Sequence, residues 1–107
     1  MAEETLVVLA TFPDADTARR IVHALVSEKL AACGNIVPGI ESIYRWEGKV
    51  ETSAEVLAVL KTEIGRYQQL EARLKELHPY EVPECLVLRV ADGLPAYLRW
   101  LGEAVRE

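Results

Sequence analysis

The sequence is poor in the residues that most often carry chemistry. Its 107 residues include two histidines, two cysteines and one methionine. No GxSxG, HExxH, Walker-type glycine loop or GxGxxG occurs, so serine hydrolase, zinc protease and nucleotide-loop readings have no motif to rest on. Ser27, Ser42 and Ser53 stand without a His-Asp escort in the sequence, and the expectation is that the protein is not an enzyme. Positive charge is scarce as well. Twelve Lys and Arg face seventeen Asp and Glu, for a net charge of -5. The only basic pair of note is Arg19-Arg20, whereas phosphate backbones demand concentrated cations; nucleic acid is not an expected partner. No apolar run approaches the roughly 20 residues that span a bilayer, so no membrane partner is expected either. Two glutamates stand in "MAEETLVVLATF" where a secretory leader would be basic, which makes a cytoplasmic location the expectation. Cys33 and Cys85 lie far apart and outside any CxxC pair. They read as free thiols buried in strands, with a disulfide or a shared metal site as the alternative.

What is present is clean periodicity, enough for one domain over residues 1–107. "TLVVLATF" (5–12) is a short apolar run, as in a strand covered on both faces. Ala18, Ile21, Val22, Leu25, Val26 and Leu30 then recur at helical spacing, with Asp14 or Asp16 available as a cap. "SIYRWEGKVETS" (42–53) alternates in both arms around Glu47-Gly48. Strand-like sequence extends from there back toward Cys33 and forward to Lys61, about twice the usual strand length. A second helix follows, with Ile64, Tyr67, Leu70, Leu74 and Leu77 on one side, Thr62 as the expected cap and Pro79 as the stop. "ECLVLRV" (84–90) reads as a strand. Residues 92–107 read as a closing helix with Pro95 in its first turn and Tyr97, Trp100, Leu101 and Ala104 as its stripe. The order β-α-β-β-α-β plus a terminal helix predicts an α+β, ferredoxin-like sandwich, with an antiparallel sheet and two helices on one face.

That architecture leaves one sheet face bare. Yet Val56, Ala58 and Leu60 on one parity sit beside Leu57 and Val59 on the other, and Leu6, Val8 and Ala10 beside Val7 and Leu9. Leaving such side chains wet costs about 1.5–3 kcal/mol each, so the second face is expected to meet further copies of the chain. The alternative is a monomer in which the third helix folds back over that face.

"EKLAACGNIVPGIESIYRWEGKVE" (28–51), Glu55, Leu57 and Lys61-Thr62, "HPYEVPE" (78–84) and "YLRWL" (97–101) together resemble the CutA family of divalent-cation tolerance proteins, nearly end to end. The resemblance implies a tight homotrimer of PII-like architecture, with long hairpins reaching across neighbouring subunits. It also implies a role in tolerance of divalent metal ions and, for some members, copper binding. Members with a copper site carry a cysteine where this chain has Ala10 and a histidine pair where it has Leu77-His78. Only His78 is retained, so a weak divalent-cation site, copper included, is the most this ligand set implies, and no cofactor is required. As a structural alternative, His78 ends the second helix and bonds its last carbonyls. His23 reads as a surface or rim residue. Cys33, Tyr44, Trp46, Lys61, Tyr80, Glu84 and Trp100 are the candidates for an inter-subunit pocket or interface, with Lys61 expected to pair with Glu84, Glu55 or a partner's carboxylate. Two further readings accompany the metal-tolerance one: a PII-like regulator that binds a small molecule between subunits, and a trimeric scaffold for another protein.

Overall fold

The computed structural model describes residues 3–106; Met1, Ala2 and Glu107, the last residue of the expected third helix, lie outside them. The elements run β1 (Thr5–Phe12), α1 (Ala15–Ser27), β2 (Cys33–Trp46), β3 (Lys49–Glu63), α2 (Ile64–Leu77), β4 (Leu86–Arg89) and α3 (Pro95–Ala104). The strands form one antiparallel sheet in the order β2-β3-β1-β4. Central β1 and β3 with both crossover helices on one face make the ferredoxin-like arrangement that the sequence predicts.

Parity decides what each strand buries. Val8, Ala10 and Phe12 of β1, with Val56, Ala58 and Leu60 of β3, point toward α1 and α2 and form the core with Ile21, Leu25, Leu70 and Leu74. α1 lies so close to the sheet that a Cβ on Gly34 would fall 2.5 Å from a Val22 methyl and 2.8 Å from one of Leu60. Asp14 caps α1 by accepting from the Thr17 backbone N–H at 2.7 Å, and that bond holds its carboxyl below the ordinary value.

Three local expectations are corrected. Thr62 does not cap α2: it is buried in β3, its hydroxyl donates to the Leu30 carbonyl at 2.8 Å, and Glu63 holds the cap position without a side-chain bond. β4 is confined to Leu86–Arg89 because β1 pairs with it only from Leu6 to Leu9. The inner side of α3 is Leu101, joined by Val105 just past its end, against Ala32, with Ala104 half-buried at the edge, whereas Tyr97 and Trp100 pack on each other at a tilt and stay exposed.

The opposite sheet face carries Val7, Leu9, Leu57 and Val59, all half-buried. Leu86 and Leu88 continue it at 58% and 53% exposure. Helix α3 meets this face at the Cys33 corner, where the Tyr97 hydroxyl lies 3.6 Å from the thiol sulfur.

The hairpin is the long axis of the molecule. Fourteen residues of β2 at about 3.3 Å each account for most of the 47 Å extent. Glu47 and Gly48 both take positive φ at the tip, +49° and +79°, as a two-residue turn matched to strand twist requires. Halfway along, Val37 pairs with Leu57 but Ile40 pairs with Glu55, so β2 holds one extra residue at Pro38-Gly39, where Gly39 has φ +77°. This β-bulge inverts the parity of β2. Before it, Cys33, Asn35 and Val37 share a face with Leu57; after it, Ser42, Tyr44 and Trp46 do.

Candidate functional site

The inverted parity builds a cleft. With Ser42, Tyr44 and Trp46 turned to the side of Ser53 and Glu55, the hairpin root faces the segment 79–84 across a cavity of about 800 Å³. Thr11, Ser42, Ser53 and Glu55 line one side, and Pro79, Tyr80, Glu81, Val82 and Glu84 the other.

His78 fixes the far wall. Its ring is buried and stacked on Phe12 at 4.9 Å between centroids and 19° between planes. Nε2–H donates to the Thr11 carbonyl at 2.8 Å, and Nδ1 accepts the Tyr80 backbone N–H at 3.1 Å. Tyr80 then packs against the imidazole at 4.7 Å, and its hydroxyl donates to Glu55 Oε2 at 2.7 Å. Burial and the adjacent Glu55 carboxylate push the Tyr80 phenol well above its ordinary value, so it remains a neutral donor. On the hairpin side, the Tyr44 hydroxyl and Ser53 Oγ are 2.9 Å apart.

Of the residues singled out from the sequence, Tyr44, Trp46, Tyr80 and Glu84 meet in this cleft. Cys33, Lys61 and Trp100 do not. Cys33 and Lys61 are paired neighbours at the other end of β3, and Trp100 is on α3. The expected Lys61 carboxylate partners within the chain are corrected: Lys61 Nζ donates to the Asn35 side-chain oxygen, while Glu55 is taken by Tyr80. His78 stands behind the wall rather than in the cavity; its backbone N–H donates to the Leu74 carbonyl in the last turn of α2, but its ring bonds run to β1 and the following loop. With Nε2 donating and Nδ1 accepting, the imidazole has no lone pair to spare for a metal ion unless the Tyr80 contact is broken. Ala10, at the position of the resembled family's cysteine ligand, is fully buried beneath the helices, and Leu77 packs against the core. Among the described residues, no three His, Cys, Asp or Glu side chains form a group able to hold one metal ion. Both cysteines are free, as expected, but half-buried; burial pushes the Cys85 thiol up, while the Tyr67 hydroxyl at 3.6 Å opposes that shift.

The contributions of Thr11, Ser42, Ser53 and Glu81 went unrecognised in the sequence. Their signal is Pro38-Gly39, a bulge-prone pair inside an otherwise alternating strand.

The family model described as CutA1 divalent ion tolerance protein matches residues 6–104. The divalent-cation tolerance protein CutA of Thermus thermophilus is 52% identical over 97 residues, covering 91% of this chain and 94% of the relative. The rice protein CutA 1, chloroplastic, is 46% identical over 103 residues, covering 96% of this chain and 58% of that longer protein. Among solved structures, the divalent cation tolerance protein (Cut A1) from Thermus thermophilus superimposes with a TM-score of 0.92 at 50% identity, covering 94% of this chain and 97% of that one. CutA1 from Oryza sativa gives 0.95 at 44% identity, covering 99% and 97%.

Proposed function

Since the chain belongs to the CutA1 divalent ion tolerance protein family, we propose that it acts as a homotrimeric, non-catalytic binding protein in divalent-cation tolerance. The names of its relatives support the metal-tolerance role. The assembly rests on one physical observation. Val7, Leu9, Leu57, Val59, Leu86 and Leu88 form an apolar stripe on the face away from α1 and α2, with Leu86 and Leu88 exposed. Copies meeting across that stripe would remove it from water, a gain of about 25 cal/mol per Å². The number three comes from the family resemblance alone. The free outer edge of β2, fourteen residues long, is a second surface for a neighbour's strand.

Within this reading copper and other divalent cations bind weakly, because the described residues of one chain offer no converging ligand set and the His78 nitrogens are engaged. A cytoplasmic location is proposed with it. No helix of the described residues is long and apolar enough to cross a membrane.

Sedimentation equilibrium over a dilution series tests the assembly: a species of three times 11.9 kDa is expected, and a folded single subunit at all concentrations would refute it. Copper titration followed by calorimetry tests the metal half. Dissociation constants weaker than micromolar fit the proposal, nanomolar binding would require a dedicated site, and no binding below about millimolar removes direct metal binding altogether.

The cleft favours a second reading, a small-molecule regulator of PII-like design. Its lining holds Glu55, Glu81 and Glu84 and no Lys or Arg, which is unsuited to nucleotide phosphates. A thermal-shift screen with nucleotides is therefore expected to show no stabilisation.

A further inference from the structure

We propose that a cavity between α3 and the end of β3 binds a small zwitterionic α-amino acid with an apolar side chain. Glu63 is the starting observation. At 3% exposure it is the only buried carboxylate among the described residues. Its side chain makes no cap bond to α2, accepts no other hydrogen bond and enters no ion pair among those residues. His78, the other buried ionisable side chain, has both ring nitrogens engaged. Water satisfies an exposed carboxylate, but one buried without a partner is destabilising.

The chain itself encloses this carboxylate. Helix α3 passes over it at buried Gly102, where a Cβ would stand 2.6 Å from Glu63 Oε2. Leu86 and Leu88, by contrast, stay open for a further copy. Glu63 lines a cavity of about 470 Å³ walled by α3 and the loop after β4. That volume falls within the range of about 300–1,000 Å³ usual for small-ligand pockets.

The rest of the lining sets the ligand class. Pro95 and Leu98 give it an apolar wall, and Arg99 and Arg106 bring positive charge. Asp92 accepts from the Gly93 backbone N–H at 2.8 Å. A guanidinium nitrogen of Arg106 would lie 3.5 Å from the same Cβ on Gly102. Acid and base thus flank one spot without forming an ion pair. A plain cation would meet the two arginines there, and a plain anion would meet Glu63. A molecule with an ammonium group next to a carboxylate answers both. Its ammonium donates to Glu63, its carboxylate accepts from Arg106, and its side chain lies on Leu98 and Pro95. Burial and Glu3 raise the Glu63 carboxyl against the pull of Arg106; a bound ammonium supplies the charge that favours the ionised form. No residue of the hairpin-root cleft takes part, so this proposal stands apart from metal tolerance and from copper binding.

The experiment is calorimetric titration of the full-length protein at pH 7 with L-leucine. Two analogues run beside it: isoamylamine, which lacks the carboxylate, and 4-methylpentanoate, which lacks the ammonium. Leucine is expected to saturate one site per chain, with each analogue binding about tenfold more weakly. Glu63→Gln should lower leucine affinity about tenfold while melting no lower than the parent, which separates lost binding from lost folding. Arg106→Gln, at an exposed position, should lower it about fivefold. Absence of saturable leucine binding up to about 1 mM, an amine or acid that binds as tightly as leucine, or unchanged affinity in Glu63→Gln would each overturn the proposal. If a second copy already closes the cavity, leucine will not bind, which counts equally against it.

Discussion

The two faces of the sheet are made of nearly the same residues and live in different surroundings. Val8, Ala10 and Leu60 are completely buried under the helices. Val7, Leu9 and Val59, one position along the same strands, are only half-covered, and Leu86 and Leu88 lie open on the adjoining strand. Apolar character alone therefore does not place a residue in a core; a covering layer does. One chain supplies that layer once, since two helices fill one face and α3 is ten residues long.

The largest expected effect comes from the covered face. Leu60→Ala removes a fully buried side chain between α1 and the sheet and should cost about 2–5 kcal/mol in urea unfolding. Next comes His78→Ala, at the junction where the loop after α2 is tied to β1. It loses stacking on Phe12 and strands the Thr11 carbonyl and the Tyr80 N–H, a loss of about 2–4 kcal/mol, with faster amide exchange at Tyr80 as the local readout. On the open face, Leu88→Ala should cost under about 1 kcal/mol if the subunit is alone and about 2–3 kcal/mol if copies bury the side chain. The assembled case also makes the melting temperature depend on protein concentration. That single comparison with Leu60→Ala separates a bare face from a shared one.

The smallest effect concerns Glu63, where burial and the neighbouring Glu3 raise the carboxyl above its ordinary 4.5 against an opposing pull from Arg106. A carboxyl raised on folding keeps its proton longer in the native state. It carries no penalty below the unfolded value, and destabilises the fold as pH rises through the native one. Glu63→Gln should therefore melt higher than the parent at pH 7, with the difference gone below about pH 4.

Much of this was legible before any coordinates. Helical and strand periods gave every element, and the two-sided apolar runs in β1 and β3 foretold the half-covered face. The C-terminal helix was harder to read. Tyr97 and Trp100 have the size of core anchors, but Leu101 and Val105 meet Ala32 instead, a long-range docking that no local pattern encodes. Thr62 looked like a cap because caps favour small hydroxyls, and tertiary demand took it for the Leu30 carbonyl. The cleft was only half visible. The aromatics and Glu84 stand out in the sequence as pocket candidates, yet their meeting depends on a register change that uniform alternation conceals.

That change hangs on one extra residue beside Gly39. It works like the phase setting of a gear: removing it would rotate Tyr44 and Trp46 to the opposite side of the arm. Two chains with the same arm and the same scaffold can thus differ wholly in what they hold at its base. A single-residue insertion or deletion near Pro38 therefore changes which side chains line the cleft at the base of the arm.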